Sequence, residues 1–269
     1  MTQEIEDTKY QVAVANRTLA DFGFATGILA SLGHASMRVP NKPDSFVMKG
    51  RGYAIDVLAE MQPQHMIVCD LDAFLLDGPV GSSQPEEVKL HSAMYKAHSE
   101  VQAVVHLHPR FTVVMSVLES TLLPMCNEGA LLVRDPLPVF PHSRLILSDE
   151  DGDEVADRIG NRQAIILRGH GAATVGGTLA EAVVTMLQLE EQARMNWYAH
   201  CAAGFGHPGI PTEDVDEWQN RYATRFELPH LKGPLERRGA NETSPGQPGG
   251  VWAYYAQRAA QEMDATISS

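Results

Sequence analysis

The sequence predicts an α/β chain of the α+β-like kind, with a mixed, largely antiparallel central sheet between helix layers and a C-terminal extension. Three observations lead there. Helical and strand periodicities alternate along the chain. Several connections between strand-like runs are too short to hold a βαβ crossover, so neighbouring strands pair antiparallel. Residues 233–250, "GPLERRGANETSPGQPGG", have the Gly, Pro, Ser and Asn content of a linker, which divides the chain into a domain over 1–232 and an extension over 233–269.

Taken in order, residues 8–32 place Val12, Leu19, Phe22, Ile28 and Leu29 at helical intervals, interrupted by Gly23 and Gly27, which predicts a helix and then a turn. "SFVMKG" and "HMIVCDL" read as short strands that stop at a glycine or a polar residue. From Ser83 the period changes. "SQPEEVKLHSAMYKAH" offers Ser83 as N-cap, Pro85 in the first turn and Glu86 as capping-box partner, ahead of Val88, Leu90, Met94 and Ala97. "VQAVVHLH" then reads as a strand, "TVVMSVLES" as a helix and "AIILRGHG" as a buried strand running into a glycine turn. A long helix follows from Thr178 to His200, carried by Leu179, Val183, Met186, Leu187, Leu189 and Ala193. After the linker, "VWAYYAQRAAQEMDA" reads as an amphipathic terminal helix.

A length of 269 residues suits one sizeable domain plus its extension, and 44% hydrophobic against 20% charged residues argues against disorder over most of it. The net charge of -13, from 21 Lys and Arg against 34 Asp and Glu, comes without any basic run able to track a phosphate backbone, so nucleic acid is not an expected partner. A small anion is still compatible with it, because a few arginines and a cation can reverse the field inside one cleft. Cys69, Cys126 and Cys201 are odd in number and far apart, which fits a reducing compartment. The polar, acidic start "MTQEIEDTKY" has no leader pattern, and no segment approaches the length of a membrane span, so a cytoplasmic protein with no membrane partner is expected.

In "VVHLHPR", His106 and His108 are two apart on a strand and leave the same face about 7 Å from one another. Pro109 ends that strand, which lets both rings turn toward one ion. His170 stands between two glycines that permit close approach of the backbone. Three neutral imidazoles with open positions suit a catalytic zinc or manganese ion, although spacing alone favours polar strand ends that meet nothing. Glu87, read in the first turn of its helix, is a ligand, a proton carrier or a solvated acid. "LGHASMR", with His34, Ser36 and Arg38, has the composition of an anion-cradling loop, and Arg51 in "KGRGY" either clamps a carboxylate or faces solvent. His65, His91, His98 and His142 read as ordinary helix or loop histidines outside any site.

Taken together, "GHASMR", "FVMKGRGY", "EEVKLH", "VVHLHP" and "ILRGHGA" resemble, in order and spacing, the class II aldolase/adducin family over roughly residues 10–205. The resemblance implies that His106, His108 and His170 hold one divalent metal ion per subunit, zinc or manganese, and that Glu87, through the E-x-x-x-H match with His91, is the acid/base. It also implies a mixed sheet between helix layers and a homotetramer in which a neighbouring subunit completes each site. Trp252, Tyr254 and Tyr255 then either enter a neighbour's site, cap their own, or pack on their own subunit. Sugar-phosphate aldolases of the family carry Gly-Asn-x-Ser, Thr-Gly and Ser-Ser where this chain has Gly33-His34-Ala35-Ser36, Arg51-Gly52 and Pro85-Glu86. With the neutral phosphate donors replaced, a phosphorylated sugar is not expected. The loop resembles instead the decarboxylase branch, which implies release of CO2 from a hydroxylated aromatic dicarboxylate held by His34, Ser36, Arg51 and Tyr255. The other readings are an aldolase of an unphosphorylated hydroxy-acid and an adducin-like interaction module without chemistry.

Overall fold

The computed structural model describes residues 3–221, 225–240 and 250–267. Helix α1 (Gln3–Asp21) leads into strands β1 (His34–Val39), β2 (Lys42–Lys49), β3 (Met66–Asp70) and β4 (Leu75–Asp77). Helix α2 (Val88–Ala97) precedes β5 (Ala103–Leu107) and α3 (Arg110–Val117); β6 (Val139–Phe140) and α4 (Asp149–Ile159) follow. The hairpin of β7 (Ala164–Leu167) and β8 (Gly171–Gly176) feeds the long α5 (Leu179–Ala203), and α6 (Thr212–Arg221), α7 (Pro229–Arg237) and α8 (Val251–Ile267) complete the chain.

The strands form one sheet in the order β4-β3-β2-β1-β5-β8-β7-β6. Its pairs are antiparallel except β6 with β7. The expected mixed, largely antiparallel sheet between helix layers is therefore present. Successive strand residues go to opposite cores: Val104, Ile165 and Ala173 join the layer of α2 and α4, while Val105, Ile166 and Ala172 join the layer of α1 and α5. Both faces are covered, which is why "AIIL" and "AVVHL" are apolar almost without interruption.

Three local expectations need correction. "GHASMR" is not a loop: from His34 it is strand β1, paired with β2 on one side and β5 on the other. Ser83 does not cap α2, because its backbone is bridged to Arg51, with Arg51 N–H donating to Ser83 O at 2.9 Å and Ser83 N–H donating back at 3.2 Å. The helix consequently begins only at Val88, with Glu87 in the N-cap position rather than in the first turn. Within the supposed linker, residues 233–237 belong to α7, and residues 241–249 lie outside the described residues. Helix α8 rests on α1, burying Ala259 and Met263 beside Ile5 and Val12. No helix among the described residues is long and apolar enough to cross a membrane.

Candidate active site

The site lies where the ends of β1, β5 and β8 meet the start of α2. His34 and His106 are direct cross-strand partners, so both project from the face that α2 covers. Strand β5 ends at Leu107, and Pro109, at φ -66°, redirects the chain into α3, so His108 escapes the strand spacing and turns back. Its Nε2 comes to 3.2 Å from Nε2 of His106. His170 sits in the tight β7–β8 turn. That turn can press against β5 because Gly171 has no side chain; a Cβ there would overlap the Leu107 carbonyl oxygen. Gly33, at φ +84°, admits the same close approach on the other side, where a Cβ would lie 2.7 Å from the His106 carbonyl oxygen.

Glu87 reaches these rings from the head of α2. Its Oε1 accepts the Ile146 backbone N–H at 3.0 Å, which leaves Oε2 3.2 Å from Nε2 of His106 and 3.4 Å from Nε2 of His170. One ligand-type atom from each of Glu87, His106, His108 and His170 lies within 4.8 Å of all the others. These donors fit a divalent cation. The Ala172 carbonyl, 3.0 Å away, takes the Nδ1–H of His106, so in the neutral, ligating form of the ring Nε2 is the free lone pair, aimed at a carboxylate oxygen and another imidazole nitrogen. Such a set of acceptors repels itself unless a cation lies among them. Both ring nitrogens of His170 are also buried without a hydrogen-bond partner.

Electrostatics favours the ligating forms. Burial, then the neighbouring His106 and His170 rings, brings the His108 pKa down to about 3, so the imidazole is neutral at pH 7. Burial alone would raise the Glu87 pKa, but positive charge and N–H donation from the facing His106 and His170 rings, when these are protonated, more than reverse it and lower the pKa below the usual carboxylate range. Glu87 is an anion at rest, and it must take up a proton before it can donate one.

His34, Arg51, Glu86, Glu87, His108 and Leu145 wall a pocket of about 100 Å³ above this cluster. Arg51 is oriented through Nη1, which donates to the Ser31 carbonyl at 2.9 Å and lies 3.4 Å from Asp56 Oδ2. Asp56 also pairs with Lys49, whose side chain is completely buried. A larger hollow of about 320 Å³, bordered by Phe22, Arg110 and Glu190, lies away from the cluster and holds none of its four residues. Tyr255 meets the Phe22 ring edge-on with centroids 4.1 Å apart and does not line its own subunit's pocket over the histidines. Ser36 does not line that pocket either: it is fully buried, with its hydroxyl taken by His91 Nδ1 at 2.6 Å and Tyr95 OH at 2.7 Å. His91, read from sequence as an ordinary helix histidine, is completely buried and bonds to His34 at 2.7 Å. Asp56, Tyr95 and the Ile146 N–H were not singled out either. For His91 and Tyr95 the signal was present: they lie four and eight residues beyond Glu87, on its side of α2.

Comparison with known proteins agrees with this geometry. The family described as Class II Aldolase and Adducin N-terminal domain matches residues 10–197. The 3,4-dihydroxyphthalate decarboxylase of Rhodococcus jostii (strain RHA1) is 30% identical over 269 residues, covering 96% of this chain and 98% of that one. Among solved structures, an aldolase II superfamily protein from Pseudomonas syringae superimposes with a TM-score of 0.75 at 20% identity, over 99% of this chain and 95% of that one. L-fuculose 1-phosphate aldolase from Glaciozyma antarctica PI12 does so with a TM-score of 0.70 at 21% identity, over 100% and 94%. The two structures speak for the fold. The chain belongs to the class II aldolase and adducin family, in its decarboxylase-like branch. It is an enzyme of the carboxy-lyase type.

Proposed function

We propose that this enzyme is a divalent-metal-dependent decarboxylase of a hydroxylated aromatic dicarboxylate. The observation that carries the reading is the convergence of four metal-type donors beneath a pocket walled by His34 and Arg51. A zinc or manganese ion held by His106, His108 and His170 supplies, when bound, the positive charge that stabilises the electron pair left on the ring as CO2 departs. Arg51 offers a guanidinium for the carboxylate that stays, and His34 offers a ring nitrogen on the same wall.

Glu87 carries the proton. As a resting carboxylate, its Oε2 accepts the proton of a ring hydroxyl adjacent to the departing carboxylate. The carbon–carboxylate bond breaks with its electron pair remaining on the ring carbon, CO2 leaves, and Glu87 returns the proton to that carbon. Water restores the hydroxyl. The scheme requires a hydroxyl next to the leaving carboxylate and a second carboxylate beyond it. Both 3,4-dihydroxyphthalate, named for the Rhodococcus relative, and 3-hydroxy-2-methylpyridine-4,5-dicarboxylate, a compound of vitamin B6 degradation, meet that requirement.

CO2 release by the purified, metal-reconstituted protein with hydroxylated benzene and pyridine dicarboxylates tests the reading, alongside elemental analysis. One divalent ion per chain and CO2 from at least one dicarboxylate are expected. Pyruvate or an aldehyde formed from a hydroxy-acid, with no CO2, would move the assignment to an aldolase. A chain without stoichiometric metal, and not activated by zinc or manganese, would point to an adducin-like module. The homotetramer expected from the family resemblance is read by sedimentation.

A further inference from the structure

Behind His34 runs a chain of buried polar side chains that the reaction scheme leaves unused. It arises from a match of two periodicities. Residues two apart on a strand advance about 7 Å, and residues four apart on a helix advance about 6 Å. His34 and Ser36 on β1 therefore line up with His91 and Tyr95 on α2. His91 Nε2 lies 2.7 Å from His34 Nδ1, His91 Nδ1 lies 2.6 Å from Ser36 Oγ, and Ser36 Oγ lies 2.7 Å from Tyr95 OH. Arg38, two residues further along β1, donates to the Tyr95 carbonyl at 2.9 Å and lays its guanidinium 4.8 Å from the centre of the Tyr95 ring, which locks this register. All four linked side chains are at most 3% exposed.

The direction of the hydrogen bonds follows from counting protons. Each link needs one donor and one acceptor, and the chain is either donated from Tyr95 toward His34 or the reverse. Among the described residues the Tyr95 hydroxyl has one side-chain hydrogen-bond partner, Ser36 Oγ. Its own proton has no acceptor but Ser36 among the described residues. In the reverse direction Tyr95, 1% exposed, would hold a buried donor with nothing to receive it, which is the costly outcome. Tyr95 thus donates to Ser36, Ser36 to His91 Nδ1, and His91 Nε2–H to His34 Nδ1. The single proton of neutral His34 is left on Nε2, the nitrogen with no protein partner among the described residues, on a ring that lines the pocket.

We propose that Tyr95, Ser36 and His91 are positioning residues that fix His34 as an Nε2–H hydrogen-bond donor, so that His34 selects an ionised carboxylate oxygen of the substrate and is neither a metal ligand nor a base. The carboxylate clause rests on the decarboxylase reading, whereas the tautomer does not. Two-bond proton–nitrogen correlation on ¹⁵N-histidine-labelled full-length protein, zinc-loaded and metal-free, reads the tautomers directly, with His34→Gln and His91→Gln spectra giving the assignments. Both rings are expected as Nε2–H in both samples. A protonated Nδ1 on His34, or a zinc-dependent loss of its Nε2 proton, would overturn the proposal. Ser36→Ala removes the hydroxyl through which the direction is passed to His91, so His34 should become a mixture of tautomers. KM for the dicarboxylate should then rise about tenfold with a smaller change in kcat and unchanged metal content. Tyr95→Phe, in which the Ser36 hydroxyl still has only His91 to donate to, should keep the Nε2–H form; a mixture in that variant, or an unchanged Nε2–H signal in Ser36→Ala, counts against the proposal. If no dicarboxylate releases CO2, the reaction scheme fails while the tautomer result still decides this one.

Discussion

Replacing Glu87 by glutamine tests the proton-carrying role with almost no change in shape. The Ile146 N–H needs only an acceptor at Oε1, and the amide oxygen of glutamine supplies one at the same 3.0 Å. The amide nitrogen then takes the place of Oε2, 3.2 Å from His106 Nε2 and 3.4 Å from His170 Nε2, where it cannot take up a proton. Losing general acid–base help of this kind costs about 10²–10⁴ in rate, which is about 3–5 kcal/mol of barrier. Steady-state CO2 release should therefore fall by that factor in kcat with KM nearly unchanged, because no wall of the pocket has moved. Metal content must be measured on the same sample, since the amide also donates to the lone pair of His106 and competes for it. A Glu87→Gln protein that keeps one metal ion and stays within tenfold of the parent kcat would show that another group moves the proton.

Other perturbations follow from the same geometry. Asp56→Ala leaves the fully buried Lys49 without its partner and Arg51 without its acidic anchor, and denaturant melts should show a loss of about 3 kcal/mol, with under 1 kcal/mol contradicting the reasoning. Gly33→Ala puts a side chain at φ +84° and a Cβ 2.7 Å from the His106 carbonyl, for about 2–3 kcal/mol. Gly23→Ala, at φ +83° but with nothing within 4 Å, should cost only about 1 kcal/mol, and equal losses would remove the argument from close approach. His91 has its pKa lowered by burial, then by His106, to about 3, whereas the unfolded chain takes up that proton at about 6.5. Its contribution to stability is complete above 6.5 and is lost as pH falls from there to about 3, at about 1.4 kcal/mol per unit; His91→Gln should flatten that part of the pH–stability curve.

How far the sequence revealed this arrangement depended on whether a residue's meaning was local. The strands "AIILRGHG" and "VQAVVHLH" and the helix from Thr178 are written in their own periodicity, and the structure has them as β7, β5 and α5. The four metal-type donors were legible only from the order of several motifs, because three histidines and a glutamate from separate elements have no common spacing. Two misreadings share one cause. Ser83 has every local mark of a helix cap, but its backbone is held by Arg51, thirty-two residues earlier in the chain.

Strand β1 is the more instructive case. His34-Ala35-Ser36-Met37-Arg38-Val39 alternates polar and apolar residues with a period of two, which is a strand pattern. It passes for a loop because the polar face is expected to meet water. Here that face is buried against α2, where His91 satisfies His34 and Ser36, and Tyr95 satisfies Ser36 and Arg38. The partners are some fifty-five residues away, and neither segment alone announces the other. Burying a polar strand face is tolerable only when nearly every group on it is paired. The one ring nitrogen of His34 left unpaired among the described residues is consequently the one most open to a ligand, and the feature that hid the strand from its composition is the one that, in the proposed reading, equips the pocket wall for recognition.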